Sequence, residues 1–225
     1  MSYLLNPYIY GGISQGSILN LDAGNISSYS GSGTTWTDLS GSGNNATLIN
    51  GVGYNSNNGG YLTFDNVNDY AATASSSSYA FGTGDFTFEI WIYPENFSGY
   101  THMIALPQQT TLALKADTGN GAIYLYTPTW DNYNPASGWT LSANAWNHVV
   151  FKRESSTGYG FLNSILKNTK VSFNNSFSAQ VLNVHNGYPN EFVSSRISVV
   201  RVYNRALSNS EIEQNFNAVR SRYGL

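Results

Sequence analysis

The residues best equipped for chemistry are four aspartates, Asp22, Asp38, Asp65 and Asp69, and the loop 127–139. The run Asp65-Asn66-Val67-Asn68-Asp69 packs four oxygen-bearing side chains into five residues. Calcium takes six to eight oxygens from carboxylates, carboxamides and backbone carbonyls, so the four aspartates could serve as its ligands, although their spacing is not that of an EF-hand. The same residue types also cap turns by accepting backbone N–H bonds, and both readings stand. The loop 127–139 holds Trp130, Asp131, Asn132, Tyr133, Asn134 and Trp139. Aromatic faces stack on sugar rings while carboxylates and carboxamides bond hydroxyls, which makes this a candidate glycan site. Aromatics are also enriched at interface centres, and tryptophans can anchor a long loop over a sheet edge; all three readings stay open.

A third candidate is the N-terminus. Residues 1–16 read as an arm, with Tyr3, Leu4, Leu5, Pro7, Tyr8 and Tyr10 as its apolar docking residues and Gly11-Gly12 as a joint. The alternative is a first strand of the domain that fills residues 17–225. There is no basic n-region and no apolar core ahead of a small-residue cleavage site, which predicts synthesis in a cytoplasm without a secretory leader. No H-E-x-x-H or G-x-x-x-x-G-K-[ST] pattern occurs. His102, His148 and His185 are scattered, and His148 reads as structural. No catalytic residue is predicted.

Composition narrows the class. Of 225 residues only 10% are charged, against about 25% in an average soluble chain. Aromatics reach 15%, which excludes a disordered chain. The absence of cysteine removes disulfides, thiolate zinc sites and cysteine nucleophiles together. A pI near 5.5 predicts no nucleic-acid partner, and no apolar run approaches the roughly 18 residues of a membrane span. Polarity comes instead from 28 Asn, 29 Ser and 22 Gly, the residues of turns. The charges are segregated. Seven acids and no base precede Lys115, and the remainder from Lys115 onward carries ten bases with six acids. Compact domains neutralise such asymmetry in space, which predicts that the two ends of the chain meet. A cation site in the acidic half and a basic docking face are the other readings.

The elements that must position these residues are strands. At 85–93, Phe86, Phe88, Ile90 and Ile92 alternate with Thr87, Glu89, Trp91 and Tyr93, and Pro94 ends the run. The first set should line a core; the second, with its acid, should be partly wet and could present a ligand. Further strands are expected at 17–22, 45–49, 61–64, 70–73, 102–106, 111–115, 122–126, 147–153, 160–163, 165–167, 170–173, 180–184 and 197–203. So many short strands suit two stacked sheets. One helix is expected after Ser208, whose S-x-x-E spacing to Glu211 is a capping box. Ile212, Phe216 and Val219 follow at helical spacing, with Arg220 and Arg222 in the last turn.

Several segments then resemble the concanavalin A-like lectin/glucanase superfamily in its laminin-G-like branch. They are Leu21-Asp22-Ala23-Gly24-Asn25 leading to Trp36-Thr37-Asp38-Leu39-Ser40; Leu62-Thr63-Phe64-Asp65 through Asn68-Asp69-Tyr70; Phe86-Thr87-Phe88-Glu89-Ile90-Trp91; Trp146-Asn147-His148-Val149; and Val199-Val200-Arg201-Val202-Tyr203-Asn204-Arg205 with the helix after it. The resemblance implies an all-β, two-sheet antiparallel jelly-roll sandwich with one short C-terminal helix and adjacent first and last strands. It also implies calcium as the ion most often carried. Glucanases of the superfamily use E-x-D-x-x-E. Here Trp91 replaces the central Asp, and Glu95 lies beyond Pro94. Residues 89 and 95 would be about 20 Å apart by strand rise, too far for a catalytic pair, so no enzyme is expected. The N-terminal Tyr3-Leu4-Leu5-Asn6-Pro7-Tyr8 and the Gly-Asn-Asn loops resemble laminin-G-like domains of tailed-phage virion proteins. That resemblance implies a virion surface protein, as capsid decoration or fibre-associated, docking on other virion proteins or on itself as a homo-oligomer, with a surface glycan as a further partner. The alternative is a lectin-like carbohydrate-binding module not tied to a virion.

Overall fold

Alternation of apolar and polar residues resolves into β1 (Ser17–Asp22), β2 (Thr35–Trp36), β3 (Ala46–Ile49), β4 (Gly53–Asn55), β5 (Tyr61–Phe64), β6 (Tyr70–Thr73), β7 (Phe86–Pro94) and β8 (Thr101–Leu106). After these come β9 (Leu112–Ala116), β10 (Ile123–Tyr126), β11 (Asn147–Glu154), β12 (Thr157–Leu162), β13 (Ile165–Lys170), β14 (Asn183–Val184), β15 (Ser195–Tyr203) and the helix α1 (Asn209–Val219). These come from a computed structural model that describes residues 12–106, 112–127, 139–178, 181–186 and 192–225.

The strands form two antiparallel sheets, as the resemblance implies. One runs β13-β12-β11-β7-β15-β5-β4, with β1 also paired to β15; the other runs β10-β9-β8-β14-β6-β3-β2. The chain ends do meet: Asp22 of β1 lies opposite Val199 of β15, and Leu21 opposite Val200. Between the sheets Phe86, Phe88, Ile90 and Ile92 from β7 face Leu112, Leu114, Ile123 and Leu125 from β9 and β10 within one buried cluster. Each such side chain, once buried, contributes about 1.5–3 kcal/mol.

Two turns differ from expectation. The hairpins β11–β12 and β12–β13 close on Ser155-Ser156 and Asn163-Ser164, all four at positive φ (47°, 63°, 51° and 65°). Such paired left-handed residues make the type I′ turn that matches strand twist. A Ser-Ser pair carries no Gly or Asn signal, so the sequence reading starts β12 late, at 160; it also stops the next strand at 167 and expects another at 170–173, where β13 runs on to Lys170 and ends.

The other face of β7 departs most from expectation. Thr87, Glu89 and Trp91 are fully buried rather than wet, because α1 lies across Glu89 and Trp91 and the segment leading into it, at Arg205 and Leu207, covers Thr87. Trp91 stacks on Phe216 at 5.6 Å between ring centroids and packs against Tyr223. The capping box of Ser208 and Glu211 forms as expected. Arg220 and Arg222 fall in a following 3-10 turn, which ends at Gly224 in the left-handed region.

Beneath the helix, Glu89 receives Arg201 Nη1 at 2.8 Å on Oε1 and Asn215 Nδ2 at 2.6 Å on Oε2. His148 Nε2 is 3.2 Å from Oε1. Tyr203 accepts a second bond from Asn215 at 3.0 Å and donates to the Ile13 carbonyl, while Asn215 Oδ1 accepts the Ile13 N–H. Burial alone would raise the Glu89 carboxyl; Arg201, His148 and Asn215 outweigh it and hold the group below the usual carboxylate range.

Removing one partner of a buried ion pair leaves an uncompensated charge and costs about 3–5 kcal/mol. Glu89→Ala should therefore unfold at markedly lower urea, and Glu89→Leu combined with Arg201→Met should recover most of the loss. Equal stability of the single and double variants in urea titrations would contradict this account of the network.

Candidate functional site

The four aspartates are not brought together. Asp22 forms a bidentate pair with Arg222, at 2.7 and 2.8 Å, and caps Gly24 N–H. Asp38 accepts from the backbone N–H groups of Asn20, Ser40 and Asn44 and from the Ser40 hydroxyl. Asp65 Oδ1 accepts from the N–H groups of Val67, Asn68 and Asp69, and Asp69 Oδ2 accepts from the Asp65 N–H. Burial raises the Asp69 carboxyl, and the Asp65 charge adds to that. Among the described residues no three His, Cys, Asp or Glu side chains converge as a metal site would require. The bonds these carboxylates make tie loops and the C-terminus.

The expected neutralisation between chain halves takes a definite form. Asp22 pairs with Arg222, Glu89 with Arg201 and Glu95 with Arg196. The arm residues Tyr3, Leu4, Leu5, Pro7, Tyr8 and Tyr10 lie outside the described residues. Residues 13–16 are not free of the domain, since Ile13 is held by Asn215 and Tyr203 and the Gln15 carbonyl accepts from Arg205.

Of the expected glycan residues, Trp130, Asp131, Asn132, Tyr133 and Asn134 also lie outside the described residues. Trp139 faces the interior. It is fully buried, its Nε1 donates to the Phe161 carbonyl at 3.2 Å, and its ring lies so close over Gly160 that a Cβ there would sit 2.6 Å from it. Its burial accords with the anchor reading. Its carbonyl accepts from Ile123 N–H, and Thr140 bridges Ala122, so the chain re-enters the sheet beside the start of β10, whose last residue is Tyr126.

Beside that point the outer face of the second sheet carries a distinct group. On β9 Leu114 and Ala116 enter the core, so Lys115 points outward; on β10 Ile123 and Leu125 do the same for Tyr124 and Tyr126. His102, Lys115 and Tyr124 are cross-strand neighbours. The Lys115 ammonium lies 4.1 Å from the Tyr100 ring centroid, 5.2 Å from that of Tyr124 and 5.5 Å from that of Tyr126. Tyr100 reaches over from the β7–β8 connection because that connection is pinned: the Phe97 carbonyl accepts from Gly119 N–H. The Phe97 ring packs against Gly121, where an added Cβ would come within 2.4 Å of it. All three tyrosines are half-buried. The arrangement gathers three aromatic rings around one ammonium group.

A family model described as the concanavalin A-like lectin/glucanases superfamily matches residues 64–213. The chain belongs to this superfamily. Among solved structures it is similar to the binding domain of botulinum neurotoxin DC in complex with rat synaptotagmin II (TM-score 0.70, 15% identity, 92% of this chain and 52% of that chain). It is likewise similar to that binding domain in complex with SialylT (0.69, 14%, 92% and 52%). A third is Trypanosoma rangeli sialidase (0.70, 14%, 92% and 33%). At this identity the likeness establishes the fold. The chain spans about half the length of the toxin domains and a third of the sialidase. No curated protein sequence matches it.

Within this concanavalin A-like sandwich three buried polar groups escaped the sequence reading. Asn215 lies on the helical stripe of Ile212 and Val219 and is fully buried; a polar residue on an apolar stripe was the available signal. Arg153, also fully buried, donates to the carbonyls of Gly82, Gly84 and Asn175 and packs over Phe86, Phe173 and Phe177. Those partners are remote in sequence, and nothing local announced them. His185 places Nδ1 3.1 Å from the Asp69 carbonyl and Nε2 2.8 Å from the Val193 carbonyl. Burial pushes its pKa down to about 4.

The sign of that shift fixes a pH dependence. The unfolded chain takes up a proton near pH 6.5 that the native His185 refuses until about pH 4, so stability is lost as pH falls through this window. Urea midpoints at pH 7 and pH 4.5 should differ more in the wild type than in His185→Asn, which tolerates the local φ of 67°. An unchanged slope in the variant would remove His185 from this role.

Proposed function

We propose that the protein is a non-enzymatic binding domain that takes a glycan on the outer face of the second sheet. The observation that carries this reading is the cluster of Tyr100, Tyr124 and Tyr126 around Lys115, on described strands that hold no other Lys, Arg, Asp or Glu and that lead in sequence to the aromatic loop 127–139. Half-buried tyrosines supply rigid amphipathic contact area at small entropic cost. The non-enzymatic part is supported by Glu89, the one acid of β7 at a position to act from the sheet, which is sealed under α1 and bonded to Arg201 and Asn215. The solved neighbours include a domain in complex with SialylT, which accords with a glycan ligand.

We place this adhesin on a tailed-phage particle, docked to virion proteins or to copies of itself through residues 1–11. What supports this is the N-terminal apolar segment and the Asn/Ser/Gly-rich loops read from the sequence.

Tyr124→Ala and Tyr126→Ala should each weaken retention on a glycan array by more than about tenfold, or ~1.4 kcal/mol, with urea midpoints near wild type. Full retention by both variants would move the site elsewhere. Removing residues 2–11 should abolish co-sedimentation with particles while leaving glycan binding intact; retained co-sedimentation would end the docking reading.

A further inference from the structure

A strand at the edge of a sheet presents backbone N–H and C=O groups to any strand that can reach them, and natural sheets blunt their edges by keeping them short or by covering them. The strands that end the two sheets here differ in this respect. β2, β4 and β10 have two, three and four residues. Among the described residues β1 pairs only with β15, but the loop after it bonds its other side. Asp38 accepts from the Asn20 N–H, the Asn20 carbonyl accepts from Leu39 N–H, Ser28 accepts from the Asp22 N–H, and Asn44 donates to the Ile18 carbonyl. β13 has six residues, ILKNTK, and among the described residues pairs with β12 alone.

The apolar residues of this edge face solvent: Ile165 is 59% exposed, Leu166 45%, and Val171, just beyond the strand, 72%. Ile165 lies opposite Leu162, which packs on the main core, and Leu166 opposite Phe161, which shares a cluster with Ile212 of α1. The two residues prolong the apolar layers on both faces of the sheet, and one added strand would bury both. The register also contains a bulge. Gly160 faces Asn168 and Phe161 faces Leu166, so Lys167 is an extra residue. Lys167 is exposed, and the strand carries no acid. A second copy of this edge would bring it more lysine and no carboxylate, and like charges across strands are destabilising. We propose that β13 is a docking edge for an extended segment of another protein, apolar on both faces and bearing a carboxylate that meets Lys167. Backbone bonds supply the affinity and the Lys167 contact selects the partner. This contact lies on the first sheet, apart from the glycan face, and is independent of residues 1–11.

The test uses two fluorescein-labelled heptapeptides, Ser-Val-Ile-Glu-Val-Thr-Ser and the same peptide with Lys in place of Glu, read by fluorescence anisotropy. The Glu peptide binds the wild type about fivefold more tightly than the Lys peptide, the range of one cross-strand charge pair, and Lys167→Glu reverses that order. Leu166→Lys, which charges the edge at an exposed position, removes binding of both peptides and leaves the urea midpoint close to wild type. N-methylation of alternate peptide bonds in the Glu peptide removes its binding as well, because the bonding N–H groups are gone. Binding that survives both Leu166→Lys and N-methylation overturns the edge as the site. An order of the two peptides that Lys167→Glu leaves unchanged overturns the selection by charge. A folded wild type that binds neither peptide at millimolar concentration overturns the whole proposal. So does a wild-type dimer in sedimentation that Leu166→Lys dissociates, which assigns the edge to a second copy.

Discussion

The carboxylate of Glu89 sits in the middle of the first sheet with no access to water, and the remainder of that layer is arranged to make this tolerable. A buried charge without partners costs several kcal/mol. Here the partners come from four places in the chain: Arg201 on β15, His148 on β11, Asn215 on α1, and, through Asn215 and Tyr203, the backbone of Ile13. The helix can satisfy Glu89 only in one position. That position also lets Phe216 stack on Trp91 and brings Arg222, in the turn beyond, to Asp22. One desolvated acid thus fixes the seat of the C-terminus and the path by which the N-terminal segment enters the fold.

The same arrangement assigns different tasks to the two sheets. The outer face of the first is occupied by α1 and its 3-10 turn, and its charges are consumed in pairs between the acidic and basic halves of the chain. The outer face of the second is left with half-buried tyrosines around one lysine. The low overall charge, 10% of the chain, belongs with this: much of it is structural, and loop polarity comes from Asn, Ser and Gly.

Much of the fold was legible. β1, β5 and β6 fall where the alternation places them, residue for residue, because a strand with one core face must alternate. The capping box marked the helix start, since that bond is local. The site was legible only in fragments. Tyr124, Lys115 and His102 lie on three strands, and Tyr100 joins them through a connection held by Phe97 against Gly121; no spacing along the chain encodes that meeting. Asp65 and Asp69 read equally as turn caps and as ion ligands, because a turn cap and a calcium ligand use the same oxygen; the neighbouring N–H groups, visible only in the folded loop, point at Asp65 Oδ1 and Asp69 Oδ2.

By itself the sequence determined the class, the approximate strands, the helix and the meeting of an acidic half with a basic end. Each of these depends on local periodicity or on summed charge, which a linear chain displays directly. The tertiary structure decided which carboxylates are used up and which surface is left over. Glu89 reads as wet on its strand and is sealed by a helix whose Asn215 lies 126 residues away. Asp22 reads as a metal ligand and is taken by an arginine 200 residues on. Both outcomes follow from desolvation, and desolvation is a property of what packs on top of a residue, not of the residues beside it in the chain.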